Sequence, residues 1–300
     1  NCFGDATGSI DITPAGGTPP YSFLWKGPSG FTAGTEDLSN LEAGEYSLTL
    51  TDALGCEMEF VDLVTISENT RIEASFDLTD LTCFNGSDGK IITSLSGGTP
   101  PYIFSWTGPF GFSASTGDIS GLEAGDYQLT VTDDLGCIRV FPVQTLTAPP
   151  PVTVDTAHTD IDCFGAANGS IDLTPSGGTP PYTFAWTGPD GYTSNTEDLA
   201  NLEPGDYSVT ITDANLCSFN FTDIVTITQP PEITVSSTGT DISCGGLTDG
   251  AIDITVSGGT LPYAFNWSGP GGFSSNDEDI SGLAAGSYSL AITDGNGCMV

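Results

Sequence analysis

The sequence predicts an all-β chain built as a tandem array of four antiparallel β-sandwich modules. Three observations predict it. The eight cysteines stand at 2, 56, 83, 137, 163, 217, 244 and 298, and the separation is the same within each of the pairs Cys2 and Cys56, Cys83 and Cys137, Cys163 and Cys217, and Cys244 and Cys298. These pairs recur with a nearly constant period of about 80 residues, which marks an internal repeat. Short runs alternating apolar and polar residues with period two are separated by Gly- and Pro-rich turns. No segment sustains the helical apolar period of about 3.6 residues.

The second module shows the order of elements. Thr82-Cys83-Phe84-Asn85-Gly86-Ser87-Asp88-Gly89 is a turn-rich loop, and residues 90–95 read as a strand. Gly97-Gly98-Thr99-Pro100-Pro101 is a turn, because neither strand nor helix tolerates that composition. Tyr102, Phe104 and Trp106 then line one face of a strand, which Gly108-Pro109 breaks. A polar stretch leads to Asp118-Ile119 and on to Gly125, and Tyr127, Leu129 and Val131 alternate along the next strand. Asp133-Asp134-Leu135-Gly136 turns into Cys137, and residues 138–147 form the last strand. The expected modules are 1–69, 70–149, 150–230 and 231–300, the first and last cut short, with proline linkers at 149–151 and 230–231.

A tryptophan stands at one fixed position between the two cysteines of each pair: Trp25, Trp106, Trp186 and Trp267. A core tryptophan beside a cystine is an immunoglobulin-like arrangement, and the Gly-x-Tyr that carries Tyr46, Tyr127, Tyr207 and Tyr288 resembles a tyrosine corner. Counting alone leaves many cysteine pairings open. The invariant spacing makes one bridge per module the expectation: Cys2–Cys56, Cys83–Cys137, Cys163–Cys217 and Cys244–Cys298, each pinning one end of its sandwich. By chain entropy each would be worth about 4 kcal/mol. Bridges imply an oxidising compartment. A metal site is disfavoured, because the chain has no Cys-x-x-Cys pair and one histidine, His158, expected on an exposed loop.

Thirty-nine acidic residues against four cationic ones give a net charge of −35. Nucleic acid is excluded as a partner, since its binding rests on cationic contacts to phosphate. No apolar run reaches the roughly 20 residues of a membrane helix. Catalysis lacks a plausible set: one histidine cannot serve four modules, and the carboxylate pairs Glu36-Asp37 and Glu197-Asp198 lack a single cleft to work in. No cofactor is expected, with calcium the one candidate. Its ligands would come from Asp52, Asp133, Asp213 and Asp294, or from Asp37, Asp118, Asp198 and Asp279. The competing reading, favoured for the first set, is that each Asp bonds the backbone of its own turn. Asp88, Asn168 and Asp249 likewise precede glycine as turn residues, with Thr7 in the first module. The loop aromatics Phe31, Phe112, Tyr192 and Phe273 either stack on a sugar or pack on the sandwich, and packing is favoured.

Three strings recur almost verbatim: Gly-Gly-Thr-Pro-Pro-Tyr at 16–21, 97–102 and 177–182, with Leu261 in place of the first proline in the fourth copy; Trp-x-Gly-Pro-x-Gly-Phe/Tyr at 25–31, 106–112, 186–192 and 267–273; and the Thr-Asp-x-x-x-Cys endings at Cys56, Cys137, Cys217 and Cys298. Together they resemble the SprB-type repeats of giant Bacteroidota surface adhesins. The resemblance implies stacked modules in an extracellular, cell-surface filament, exported by type IX secretion, in some cases serving gliding motility. It implies no catalytic residue. The function expected is therefore a structural adhesin stalk, each module about 40 Å long, with neighbouring modules as partners. The alternatives are a glycan-binding array and an appendage whose copies assemble with one another.

Overall fold

The computed structural model describes residues 2–300. The chain divides into two compact units, Asn1–Ala148 and Pro149–Val300. Each unit contains two separate hydrophobic cores, and each core belongs to one sequence repeat.

Every strand pairing is antiparallel. In the second repeat, one sheet orders strands Ile119–Leu122, Gly89–Ser96 and Glu73–Thr79. The other orders Ser113–Ala114, Ile103–Thr107, Gly125–Thr132 and Ile138–Val140, with Gln144–Leu146 also paired to Gly125–Thr132. The two sheets enclose Ile91, Trp106, Ile119, Leu122, Leu129 and Val131 in a single core. This is the immunoglobulin-like sandwich that the sequence predicts. The period-two pattern decides which face is inside: Tyr127, Leu129 and Val131 are buried, while Asp126 and Gln128 on either side of Tyr127 are exposed. The third repeat reproduces both sheets.

One strand departs from expectation. The last strand of the first and third repeats runs unbroken over ten residues, Glu57–Ile66 and Ser218–Ile227. In the second repeat it splits into Ile138–Val140 and Gln144–Leu146. Pro142 lies in the gap, and proline has no N–H to give the ladder.

The Gly-Gly-Thr turn closes the entry end of each sandwich. Gly97 has φ +71, and a Cβ built there would lie 1.9 Å from the Arg71 carbonyl oxygen, so glycine is the residue that fits. His158 lies on strand Thr153–Thr159 opposite Ile171, exposed but not on a loop as expected.

Candidate functional site: the joint between repeats

The cysteine turn is built by its aspartate. Asp133 Oδ1 accepts from the backbone N–H of Leu135 at 3.0 Å and of Cys137 at 2.9 Å. Its Oδ2 accepts from Thr99 N at 3.0 Å and from Asn69 Nδ2 at 2.8 Å. Asp52, Asp213 and Asp294 bond their own turns in the same way, reaching Thr18, Thr179 and Thr260 respectively. These carboxylates thus hold backbone, tying each cysteine turn to the Gly-Gly-Thr turn. A second recurring set does similar work: Asp37, Asp118, Asp198 and Asp279 accept from the amides of Ile12, Thr93, Leu173 and Ile254. Asp88 and Asp249 close the loops of the first cysteines through Thr82 and Ser243, and Asn168 donates to Asp162.

Burial pushes the Asp133 carboxyl up, but the bonds from Thr99, Cys137, Leu135 and Asn69 outweigh it and hold it below the ordinary carboxylate value. Asp294 follows the same balance, and in Asp52 the Cys56 amide is the largest cause of the lowering. A carboxyl lowered by folding stabilises the fold above its unfolded pKa, about 3.9, and loses that contribution as pH falls toward its folded pKa. Asp133→Asn should therefore lower the melting temperature at pH 7, and its difference from the parent chain should shrink in melts taken down to pH 3.

The bridges correct the expected pairing. Cys2 is bonded to Cys137 and Cys163 to Cys298, each across 135 residues, with Cα–Cα distances of 5.4 and 5.5 Å. Cys83 and Cys217 are also disulfide-bonded, while Cys56 and Cys244 are free and exposed. Thus neither Cys2–Cys56 nor Cys244–Cys298 forms, and Cys83–Cys137 and Cys163–Cys217 are excluded because Cys137 and Cys163 have other partners.

The reason lies in strand direction. Glu73 pairs with Ser96 and Thr79 with Lys90, so the chain runs from the entry end to the exit end before reaching Cys83. There Leu81 N donates to the carbonyl of Thr147, where the chain leaves the repeat. Thr132 pairs with Ile103, and Asp133 bonds Asn69 and Thr99, so Cys137 sits at the entry end. Strands of seven or eight residues separate the two ends, about 25 Å at the usual rise. A disulfide spans Cα atoms roughly 4.4–6.8 Å apart. Within each unit the first cysteine of the earlier repeat therefore meets the second cysteine of the later one, where exit end faces entry end.

Around Cys2–Cys137 the joint gathers residues that the cysteine columns did not point to. Gly4 N donates to Glu68 Oε2 at 2.6 Å, and the Arg71 guanidinium lies 5.8 Å from the Phe3 ring centre. Asn69 donates to Asp133 and accepts from Thr99 Oγ1 at 3.2 Å. At the joint around Cys163–Cys298, Gly165 N donates to Gln229 Oε1 at 2.9 Å and Asn296 Nδ2 to the Asp162 carbonyl at 3.0 Å. The signal available in sequence was that Glu68 and Gln229 occupy the same position relative to the first cysteines of their repeats, Cys2 and Cys163.

Each remaining predicted residue has a place. Trp25, Trp106, Trp186 and Trp267 are buried, and their Nε1 donates to the carbonyls of Thr35, Gly117, Thr196 and Asp277. Tyr46, Tyr127, Tyr207 and Tyr288 donate to the carbonyl four residues upstream, the tyrosine corner. Phe31, Phe112, Tyr192 and Phe273 pack edge-on against those tyrosines, with ring centres 5.2–5.5 Å apart. The residue that projects from the loop is instead Phe110, 91% exposed, and its repeat equivalents are Ser29, Asp190 and Gly271.

Digestion tests the pairing directly. Trypsin cuts after Lys26, Arg71, Lys90 and Arg139. Without reductant, peptide 1–26 should be joined to 91–139; finding it joined to 27–71 would restore the pairing within a repeat.

Fold and joint together define a class: tandem immunoglobulin-like sandwiches whose disulfides run from one repeat to the next. The SprB repeat family matches four segments, residues 1–30, 75–109, 156–191 and 236–272, one in each repeat. No curated protein matches the chain. Among solved structures it is similar to a tetra-tandem repeat from the extending region of a large adhesion protein, at 10% identity, covering 98% of this chain and 93% of that one with a TM-score of 0.30. It is also similar to the N-terminal four Ig domains of Dscam1 isoform 8.4, at 12% identity, covering 97% and 92% with a TM-score of 0.21. Such scores say nothing of arrangement or ligand. Repeats that match the SprB repeat family and are joined by disulfides make this an adhesin-like segment of an extracellular protein. Among the described residues, no helix is long and apolar enough to cross a membrane.

Proposed function

We propose that this chain is part of the tension-carrying stalk of a giant bacterial surface adhesin, of the kind used for attachment or gliding and exported by type IX secretion. It does no catalysis: its recurring carboxylates are engaged with backbone amides, and its recurring aromatics are packed on tyrosine. The observation that carries the reading is the direction of the bridges. Cys2–Cys137 and Cys163–Cys298 each bypass most of two repeats, so tension entering at one repeat passes to the next through sulfur. A stalk that transmits pull without lengthening needs that connection. The strong negative charge keeps neighbouring stalks apart. The partners of each repeat are the repeats before and after it. End-to-end pulling of single oxidised and reduced chains is the test; an oxidised chain that lengthens as far as a reduced one would remove the mechanical role.

A further inference from the structure

The chain holds four Lys and Arg residues against 39 acidic ones, and two of the four line one cavity. The cavity lies in the first unit beside the Cys2–Cys137 bridge and has a volume of about 370 Å³, with Phe3, Arg71, Ile72 and Arg139 in its wall. A second copy separates what the joint imposes from what these residues add. The Cys163–Cys298 bridge is flanked by a cavity of about 260 Å³. There Glu232 and Val300 stand where Arg71 and Arg139 stand relative to the cysteines of the first. A joint therefore closes without either guanidinium, and the two arginines need another explanation.

Both side chains are placed, and neither is fully engaged. The Arg71 guanidinium lies 5.8 Å from the Phe3 ring centre, and that of Arg139 lies 5.8 Å from the Phe141 ring centre. Glu73 takes Nε of Arg71 at 3.2 Å, which leaves the Nη donors. Arg139 Nε is shielded from water and has no hydrogen-bond partner. Despite the excess of acids, Arg139 makes no ion pair among the described residues. The carboxylates nearest the joint are already committed: Glu68 accepts from Gly4 N, and Asp133 from its own turn. A buried donor without an acceptor is destabilising, so its place at a cavity wall points to an anionic ligand.

We propose that this cavity binds a sugar-sized ligand through a single carboxylate, a ligand of the uronic acid class. The planar guanidinium fork matches a carboxylate with two parallel hydrogen bonds. The volume falls in the range of small-ligand sites, which combine an apolar wall with a few placed polar groups. Ile72 and the disulfide supply the apolar wall, and Thr70 places a hydroxyl-bearing residue beside the arginines. The net charge of −35 selects against an anionic polymer, whose repulsion adds up along its length. One carboxylate against two guanidinium groups gains more at contact than it loses to charges beyond the screening length of about 8 Å. The inference stands on this cavity alone and does not rest on the stalk reading.

Sodium glucuronate titrated into the full oxidised chain, followed by backbone amide NMR shifts, is the test. Shifts should saturate at Phe3, Arg71 and Arg139 and be absent at Phe164, Ile233 and Val300, which line the cavity without cations. Arg139→Gln should weaken binding roughly tenfold or more, and Arg139→Lys, which keeps the charge but loses the fork, by less. Glucose lacks the carboxylate and should not bind; acetate lacks the ring and should bind more weakly than glucuronate. Equal shifts in both cavities would overturn the proposal, since binding would then ignore the arginines. So would an affinity unchanged by Arg139→Gln, or acetate or inorganic phosphate bound as tightly as glucuronate. If Arg139→Gln melts below the parent chain, Arg71→Gln carries the same test, because the Arg71 side chain is 45% exposed and its truncation spares the core.

Discussion

Pulled from its two ends, the oxidised chain lengthens to no more than about 110 Å, whereas the reduced chain reaches on the order of 1,000 Å, at roughly 3.5 Å per extended residue. The load entering at Cys2 crosses to Cys137, follows the backbone to Cys163, and crosses again to Cys298. Residues 3–136 and 164–297 lie off this path, so their sandwiches can unfold without releasing length. Any further bridge, such as those made by Cys83 and Cys217, can only shorten it. Pairing within each repeat would instead leave the three segments between bridges under load, about 280 Å in all. Force-extension traces separate the three values. Cys137→Ser should restore several hundred ångströms, and Cys56→Ser none. Chain entropy caps the equilibrium worth of so long a closure at about 5 kcal/mol, so the mechanical effect, roughly tenfold in length, is the larger signature.

The pairing was hidden for a geometric reason. In a repeat of nearly constant period, the first cysteine of any copy stands at a constant distance from the second cysteine of every later copy. The step within each pair is constant, and so is the 135-residue step of the two bridges. Regular spacing therefore established the columns and could not choose the partner. Strand direction could choose it, and that required counting strands correctly. The strand Glu73–Thr79 precedes Cys83 and carries the chain to the exit end, but its alternation is masked by polar and charged residues, with five of its seven positions exposed. The buried strands were legible, because Tyr127, Leu129 and Val131 alternate against solvent-facing partners. The turn aspartates were legible as well, since an Asp after a strand Thr already suggests a backbone-bonded turn. Asn69 and Glu68 were not, because a joint between two repeats leaves no periodic signature within either.

The tryptophan column gives the largest effect on folding. Trp106→Ala should remove one thermal transition from the chain while leaving the transitions of the other repeats in place. Trp106 is 1% exposed between the two sheets, touches Phe76 edge-on at 5.9 Å, and donates from Nε1 to the Gly117 carbonyl at 3.3 Å. Truncation leaves a large cavity, and substitutions of this kind cost about 3–5 kcal/mol. A sandwich of this size has only about 4–12 kcal/mol in total. Trp106→Phe keeps most of the apolar contact and should cost less, which separates lost packing from the lost hydrogen bond. The effect stays local because the four cores share no residue. Across the joint at Cys2–Cys137 run the Asn69–Asp133 hydrogen bond, the Arg71 guanidinium over the Phe3 ring and the disulfide itself. Calorimetry of the oxidised variant should therefore show a missing transition with no change in the neighbours, and no shortening of the chain on a non-reducing gel after limited proteolysis. If all repeats instead melted together, the joints would carry cooperativity as well as load, and the bridges would have to be counted as part of each core.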